Sequence, residues 1–363
     1  MQLLVLIQVV ALLALFCPTL PALAFGLSAN HNNLPTSESA FSAGSSRRHV
    51  LQTASVASAG LLPLPQKSAT AAAATTAVNT IHPVTTLADG KTKFPLASFG
   101  LQIYSDETAY QLTLTALEVG YRNFFASVLA RNQRGFARAV RDSGIPRSEL
   151  FICGSVISNR VQGFQAAKDE TTAGWKRNMD AFGVGGIDYL DQIMLDYPGP
   201  DAVSILGQWA SFQEMHQQKL TRTLSVSNFN PAQLDCILQA PTTDKFQFQV
   251  PPLVNQLPYS VAYHPNINNE VEENTRKRNI LVQAWAPLGG SLMGRFDNNI
   301  KQKCADIGKK YNKSFAQVAL RWIVQSGASF TTQSQNKKHF QEDLHIFDFE
   351  LSEDDMKVLS RLA

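Results

Sequence analysis

The sequence predicts one eight-stranded α/β barrel over residues 72–363, behind an N-terminal targeting region. Short apolar runs alternate with helical patterns along this segment, which is typical of a parallel sheet with helical crossovers. Two of these runs, 187–198 and 223–230, end in polar or turn residues. Buried strands end in this way where they deliver side chains to the rim of a barrel. The length of the segment also suits one barrel better than two domains.

Each predicted strand is a short apolar run that precedes a turn or a helical pattern. The eight strands are predicted at 94–103, 121–126, 150–153, 187–195, 224–226, 253–255, 280–284 and 329–331.

The predicted helices carry recognisable start and stop signals. The helix 106–119 has apolar residues on one face and stops at Gly120, and a later helix begins at Pro231. Ser314 and Gln317 form a capping box at the start of another helix. The helices are predicted at 106–119, 132–141, 175–182, 202–218, 231–239, 315–325 and 336–344.

The residues before the barrel read as three targeting segments. Residues 1–24 hold an apolar run and an Ala-Leu-Ala end, which indicates a signal peptide and is too short for a spanning helix. Residues 25–45 are rich in Ser, Ala and Asn, with Glu38 as their one acid, and suit a transit peptide. Residues 46–71 contain Arg47-Arg48 before a weakly apolar stretch and resemble a twin-arginine segment. This order resembles a plastid presequence and predicts delivery to the thylakoid lumen.

Composition limits the classes of partner and cofactor. The formal net charge is +3, of which the targeting region contributes +2, and no basic tract suggests nucleic acid or an anionic membrane. Cys153, Cys236 and Cys304 remain in the barrel segment without metal-ligand spacing, so no metal site is predicted. We expect all three to be small buried residues, although a disulfide between two of them stays open.

Eight motifs in order from residue 94 onward resemble the aldo-keto reductase superfamily. They are G-Y-R at 120–122, N-Q at 132–133, E-L-F-I at 149–152, D-Y-L-D at 188–191, S-N-F-N at 227–230, V-N-Q at 254–256, A-W-A-P-L-G at 284–289 and F-D-F-E-L-S at 347–352. The resemblance implies a (β/α)8 TIM barrel and hydride transfer from NADPH to a carbonyl. In that chemistry a Tyr donates a proton, and Lys, Asp and His activate the Tyr and orient the carbonyl.

The resemblance also places the four catalytic roles, and none of them is filled. The Asp position is Phe125, the Tyr position is Ala130, the Lys position is Ser155 and the His position is Asp196. Ala130 cannot donate a proton, and Phe125 cannot pair with a cation. We therefore expect no intact catalytic residue of the family's kind.

The cofactor positions are better kept. The resemblance assigns the nicotinamide amide to Ser227, Asn228 and Gln256, the stacking ring to Trp285, and a phosphate contact to Ser334. NADP(H) therefore stays open as a cofactor. The alternative is structural: a helix start at Ser227-Asn228 and core packing by Trp285.

The positions that the resemblance assigns to the 2′-phosphate of the cofactor have lost positive charge. Gln333 stands at the family's Lys, His339 at its Arg and Asp343 at its Asn. Since Arg and Lys supply the strong contacts to a 2′-phosphate, this end is weakened. Asp343 is expected to repel an anion, and Lys337 and Lys338 either compensate or are solvated helix-end charges.

Three functions are compatible with the sequence. The preferred hypothesis is a non-reductase binding or scaffold protein of the thylakoid lumen, acting on a thylakoid membrane complex or a small polar ligand. The alternative is an NADP-dependent oxidoreductase for carbonyl compounds with an unrecognised proton donor. The third is a barrel in which Asp196, beside Tyr197, binds a polar ligand or acts as a base.

Overall fold

The computed structural model describes residues 83–264, 269–289 and 296–362. The chain divides into two compact units, Met1–Asn79 and Thr80–Ala363. The three predicted targeting segments and their boundaries lie outside the described residues. No helix of the described part combines the length and the apolar character that crossing a membrane requires.

The unit Thr80–Ala363 contains a closed barrel of eight parallel strands, which confirms the predicted fold class. Each strand pairs with the next along the chain, and the last strand closes the barrel against the first. The barrel strands are β3 (Ala97–Gly100), β4 (Asn123–Phe125), β5 (Phe151–Val156), β6 (Leu190–Asp196), β7 (Thr221–Ser227), β8 (Val254–Pro258), β9 (Leu281–Trp285) and β10 (Ser329–Thr332).

The first predicted strand, 94–103, is wrong in its extent. Its beginning belongs to a separate antiparallel hairpin, β1 (Val84–Thr86) with β2 (Lys93–Pro95). Leu87 and Phe94 of this hairpin pack against Phe151 at the amino-terminal end of the barrel strands. The hairpin thus closes the lower end of the barrel, and the opposite end is left for the functional site.

Helices cover the outside of the barrel. They are α1 (Asp106–Val119), α2 (Gln133–Ser143), α3 (Phe164–Gly183), α4 (Ala202–Gln217), α5 (Pro231–Leu238), α6 (Asn298–Lys309), α7 (Phe315–Gln325), α8 (Lys337–Leu344) and α9 (Glu353–Leu359). Shorter helical turns lie at Arg147–Glu149, Asn269–Val271 and Glu272–Arg276. The capping boxes at Asn230 and Ser314 form as their sequences require.

Side chains alternate between the interior of the barrel and the helices, as in any barrel strand. On β6, Ile193 and Leu195 belong to the main core shared with the helices, whereas Met194 packs with Phe125 and Cys153 inside the barrel. Residues two apart on a strand share a face, so Asp196 points to the inside as well. Cys153, Cys236 and Cys304 are free thiols, and Cys236 is only half-buried.

Candidate functional site

Four polar side chains share one level at the carboxyl ends of neighbouring strands. Asp196 of β6 stands opposite Ser227 of β7, Ser227 opposite Gln256 of β8, and Gln256 opposite Gln283 of β9. All four are buried, and Asp196 is 7% exposed. The predicted site residues Asp196, Ser227 and Gln256 therefore come together at the mouth of the barrel, where active sites of this fold lie.

A directional chain of hydrogen bonds ends at Asp196. Trp285 Nε1 donates to Asn228 Oδ1 at 3.1 Å. Asn228 Nδ2 in turn donates to Asp196 Oδ1 at 3.3 Å and to Ser227 Oγ at 2.9 Å. An indole N–H can only donate, so it fixes which end of the Asn228 amide accepts. The amide nitrogen must then face the Asp196 carboxyl.

Asp196 is the ionisable group of this network. Burial raises the pKa of its carboxyl to about 6, and hydrogen bonds from Ser227 and Asn228 oppose the rise. Both neighbours act as donors, and donors favour the carboxylate over the neutral acid. The mouth therefore holds a buried negative charge at neutral pH.

The backbone is strained at three strand ends around the mouth. Tyr197, Asn228 and Ala286 directly follow β6, β7 and β9 and have φ values of 69°, 64° and 50°. Such left-handed conformations are unfavourable for residues other than Gly, least so for Asn, and cost on the order of 1 kcal/mol each. Strained residues of this kind cluster at functional sites, which supports a functional mouth.

The interior below Asp196 is apolar. Phe125, Cys153 and Met194 form a separate buried cluster, and burial raises the pKa of the Cys153 thiol well above its usual range. Ser155 is fully buried, and its hydroxyl accepts a long hydrogen bond of 3.4 Å from the backbone N–H of Val128. The positions that the resemblance assigns to the family's Asp and Lys thus hold packed side chains without charge.

The Tyr position is equally without a donor. Ala130 lies half-buried in the turn before α2. Within the described residues no lysine is buried, and so no lysine reaches the interior of the barrel. Tyr121 and Tyr259 are both buried, but they pack against the outer residues Phe340 and Trp322. Over residues 83–264, 269–289 and 296–362, no cluster of three His, Cys, Asp or Glu side chains has a metal-binding arrangement.

The structure adds three mouth residues that the sequence reading missed. Gln283 accepts a hydrogen bond of 2.9 Å from Gln256 Nε2. Gln102 and Thr331 approach each other over Gly100, where a methyl group would overlap both side chains. Gln283 was detectable, since it lies two residues before Trp285 and so shares its face of the strand. Gln102 was not, because its placement depends on the bare backbone at Gly100.

The predicted phosphate contact lies apart from this network, in the loop before α8. Ser334 Oγ is 3.1 Å from His339 Nδ1 and accepts a hydrogen bond of 3.1 Å from the N–H of Asn336. Lys337 pairs with Glu118 at 2.5 Å, and Lys338 lies 3.5 Å from Glu342. Both lysines lie beside carboxylates on the exposed surface, where such pairs are weak.

Asp343, the residue expected to repel an anion, is buried in the structure. Its carboxyl is buried and accepts a hydrogen bond of 2.8 Å from Thr332 Oγ1 at the end of β10. Burial raises the pKa of this group to about 7, opposed by hydrogen bonds from Thr332 and Tyr121. Asp343 is therefore a packing residue between α8 and the end of β10.

Known proteins resemble this chain over the whole barrel. The sequence profile of the Aldo/keto reductase family matches residues 96–363. The 9,11-endoperoxide prostaglandin H2 reductase of Trypanosoma cruzi is 32% identical over 250 residues, which cover 68% of this chain and 80% of that protein. The glyoxal reductase of Bacillus subtilis is 30% identical over 269 residues, covering 73% of this chain and 88% of the relative.

A solved structure gives the same result for the fold. The crystal structure of an aldo/keto reductase from Brucella melitensis superposes with a TM-score of 0.66 at 25% sequence identity. The match covers 77% of this chain and 99% of that one.

Proposed function

Because the chain belongs to the Aldo/keto reductase family, we propose that it is a binding or scaffold member that has given up the family's carbonyl reduction. The relatives named above carry the names of reductases, so the loss would distinguish this chain from them. What it keeps is the barrel and a hydrogen-bonded, strained mouth around Asp196.

The observation that carries this proposal is the packing of the family's Asp and Lys positions. Phe125 fills one position as part of an apolar cluster with Cys153 and Met194, and Ser155 is fully buried at the other. A proton donor activated by a lysine needs both a hydroxyl and an amine at the mouth. Loss of general-acid help of this kind typically costs about 10²–10⁴ in rate.

An NADPH-oxidation assay tests the proposal. The full chain is incubated with NADPH and with glyoxal or benzaldehyde, and the Bacillus subtilis glyoxal reductase serves as the positive control. We expect no oxidation above that of a heat-inactivated sample. Steady turnover with either aldehyde would refute the binding function.

The nicotinamide cofactor fits the residues unequally. Ser227, Asn228 and Gln256 would hold the nicotinamide amide, and Trp285 would lie against the nicotinamide ring. When bound, the cofactor would supply hydride chemistry. In this fold, however, Asn228 is already committed to Asp196, Ser227 and Trp285. The 2′-phosphate fits less well, because Gln333 stands at the family's Lys position and the nearby Lys337 and Lys338 are exposed side chains that lie beside Glu118 and Glu342.

A second candidate is an oxidoreductase in which Asp196 carries the proton. The pKa of about 6 leaves a substantial protonated fraction in weakly acidic solution, and the carboxyl lies in register with Ser227. Carbonyl reduction that weakens as the pH rises through about 6, and that falls about 10²–10⁴-fold in Asp196→Asn, would establish this candidate in place of the first.

The thylakoid lumen, with one of its membrane complexes as a partner, remains the proposed location. The three-part order of residues 1–24, 25–45 and 46–71 supports it. A fluorescent protein fused behind residues 1–71 should reach the lumen, and Arg47→Lys with Arg48→Lys should hold it in the stroma. Lumenal delivery that ignores this double substitution would contradict the twin-arginine interpretation.

A further inference from the structure

The Asp196 carboxylate has no cationic partner among the residues that the structure describes. Its described contacts are the neutral donors Asn228 and Ser227. The other buried carboxylate on the described barrel strands, Asp191, is instead paired with Arg147 and Arg222. A buried charge without a counter-charge is costly, so its retention at a barrel mouth points to a ligand that supplies the charge.

The hydrogen-bond direction strengthens this point. The indole N–H of Trp285 fixes the Asn228 amide, and Asn228 then gives its N–H to Asp196. Ser227 Oγ accepts from the same amide, which leaves its own hydrogen to point at the carboxyl. The three side chains are thus arranged to stabilise a carboxylate, since Asn228 and Ser227 both donate to it.

From this geometry we infer that the barrel mouth binds a small ligand carrying a protonated amine, with Asp196 as its counter-ion. The inference rests on the proposed binding function and specifies its ligand class. An ammonium group supplies up to three donors and the missing positive charge, and the nearby Trp285 offers an aromatic ring, a surface that attracts cations.

Other polar ligands fit less well. A carboxylate or phosphate ligand would meet the buried charge of Asp196 and be repelled. A neutral alcohol could form one hydrogen bond but would leave the charge uncompensated. The Cys153 thiol is a titratable side chain that senses this charge, and burial keeps it neutral. The binding strength should therefore follow the ionisation of Asp196.

The test uses benzylamine with its neutral and anionic counterparts, benzyl alcohol and benzoate. Binding to the full chain is followed by the indole N–H resonance of Trp285, which is assigned by its loss in Trp285→Phe. We expect benzylamine to shift this resonance with an affinity at least about tenfold higher than that of benzyl alcohol, and benzoate to have no effect. Equal affinities for the amine and the alcohol would overturn the inference.

Substitution separates charge from shape. Asp196→Asn should lower the affinity for benzylamine at least about tenfold while leaving that for benzyl alcohol nearly unchanged. Asp343→Asn is the matched control, since Asp343 is also a buried carboxyl but lies between α8 and the barrel. Folding of each variant is checked by its circular dichroism spectrum. If Asp196→Asn is folded and binds benzylamine as the parent chain does, the counter-ion role is wrong.

The pH dependence gives a readout that needs no substitution. Benzylamine stays protonated between pH 5 and 8, so a loss of affinity below about pH 6 reports the protonation of Asp196. A flat profile would contradict the inference. Carbonyl reduction in the NADPH assay would refute the binding function, whereas absent reduction with absent amine binding would refute only the ligand class.

Discussion

The hydroxyl of Tyr121 lies 3.5 Å from Oδ2 of Asp343, a contact that joins the segment between α1 and β4 to the helix α8. Thr332 Oγ1 donates to the same carboxyl oxygen at 2.8 Å. The Tyr121 ring also packs edge-on against Phe99 of β3 and Phe340 of α8. One buried carboxyl of α8 thus connects the closing strand of the barrel with the segment between α1 and β4.

This carboxyl should make the stability of the fold depend on pH. Its folded pKa of about 7 lies above the ordinary value of 3.8, so the neutral form is favoured by folding. The stability that it contributes is fully present below about pH 4 and is lost as the pH rises through 7, up to about 4 kcal/mol in all.

Urea unfolding of the parent chain and of Asp343→Asn at pH 5 and pH 8 measures the effect. The asparagine can accept the same hydrogen bonds without a charge, so it should remove part of the stability loss between the two pH values. The rest is expected from Asp196, whose pKa of about 6 is raised in the same direction. An unchanged pH dependence in Asp343→Asn would show that this carboxyl does not titrate in the window.

Sequence patterns predicted the barrel because strand and helix signals there are local. Strand β6 ends at Asp196 and β7 at Ser227, as their apolar runs and turn residues indicate. The hairpin β1–β2 was missed because the run 94–103 is mostly apolar, and only the pairing of its first residues with Val84–Thr86 separates them from β3. The first half of α3 was missed because its polar residues hide the helical period. The predicted helix covered 175–182, whereas α3 extends over Phe164–Gly183.

The composition of the site was predictable, but its connections were not. The residue types at Asp196, Ser227, Asn228 and Trp285 follow from motif positions. The chain of hydrogen bonds between them depends on the left-handed backbone at Asn228 and on the distance between strands. The inward turn of Asp343 likewise depends on contacts with Thr332, which no local pattern encodes.

Two glycines of α3 should respond to alanine in opposite directions. A Cβ at Gly174 would overlap Cγ1 of Val156 on β5, so Gly174→Ala is expected to destabilise the fold by about 1–3 kcal/mol. A Cβ at Gly183 would meet no atom within 4 Å, so Gly183→Ala should stabilise it by up to about 1 kcal/mol. Urea unfolding midpoints check both, and equal effects would contradict the close approach of α3 to β5.

Asp191 should be the costliest carboxyl to neutralise on the barrel strands. It is buried, lies 2.7 Å from Arg147 and 3.0 Å from Arg222, and accepts the N–H of Ile152 at 2.9 Å. Both guanidinium groups also stack on Tyr189, at 4.0 and 4.4 Å from the ring centre. Removing one partner of a buried pair leaves uncompensated charge, so Asp191→Asn should cost about 3–5 kcal/mol.

The control for Asp191 is an exposed ion pair. Asp306 lies 2.6 Å from Lys309 on the solvent side of α6, where salt and water screen the charges. We expect Asp306→Asn to leave the unfolding midpoint unchanged. A loss as large as that of Asp191→Asn would mean that burial is not what makes the Asp191 pair important.

Trp285→Phe should raise the pKa of Asp196 without any ligand present. The substitution keeps an aromatic ring but removes the indole N–H that donates to Asn228 Oδ1 at 3.1 Å. The Asn228 amide is then free to rotate, and the hydrogen bond from its nitrogen to the carboxylate weakens. Since that bond opposes the effect of burial, the pKa should move above its value of about 6.

The side-chain carbon resonance of Asp196, assigned by its loss in Asp196→Asn, reports this pKa in a pH titration. Trp175→Phe is the matched control, because it also removes an indole hydrogen bond, to Ser211 Oγ at 3.1 Å, but on the helices outside the barrel. We expect the control to leave the pKa of Asp196 unchanged. If Trp285→Phe also leaves this pKa unchanged, the indole does not orient the amide, and the directional chain of hydrogen bonds that prepares Asp196 for a cation is wrong.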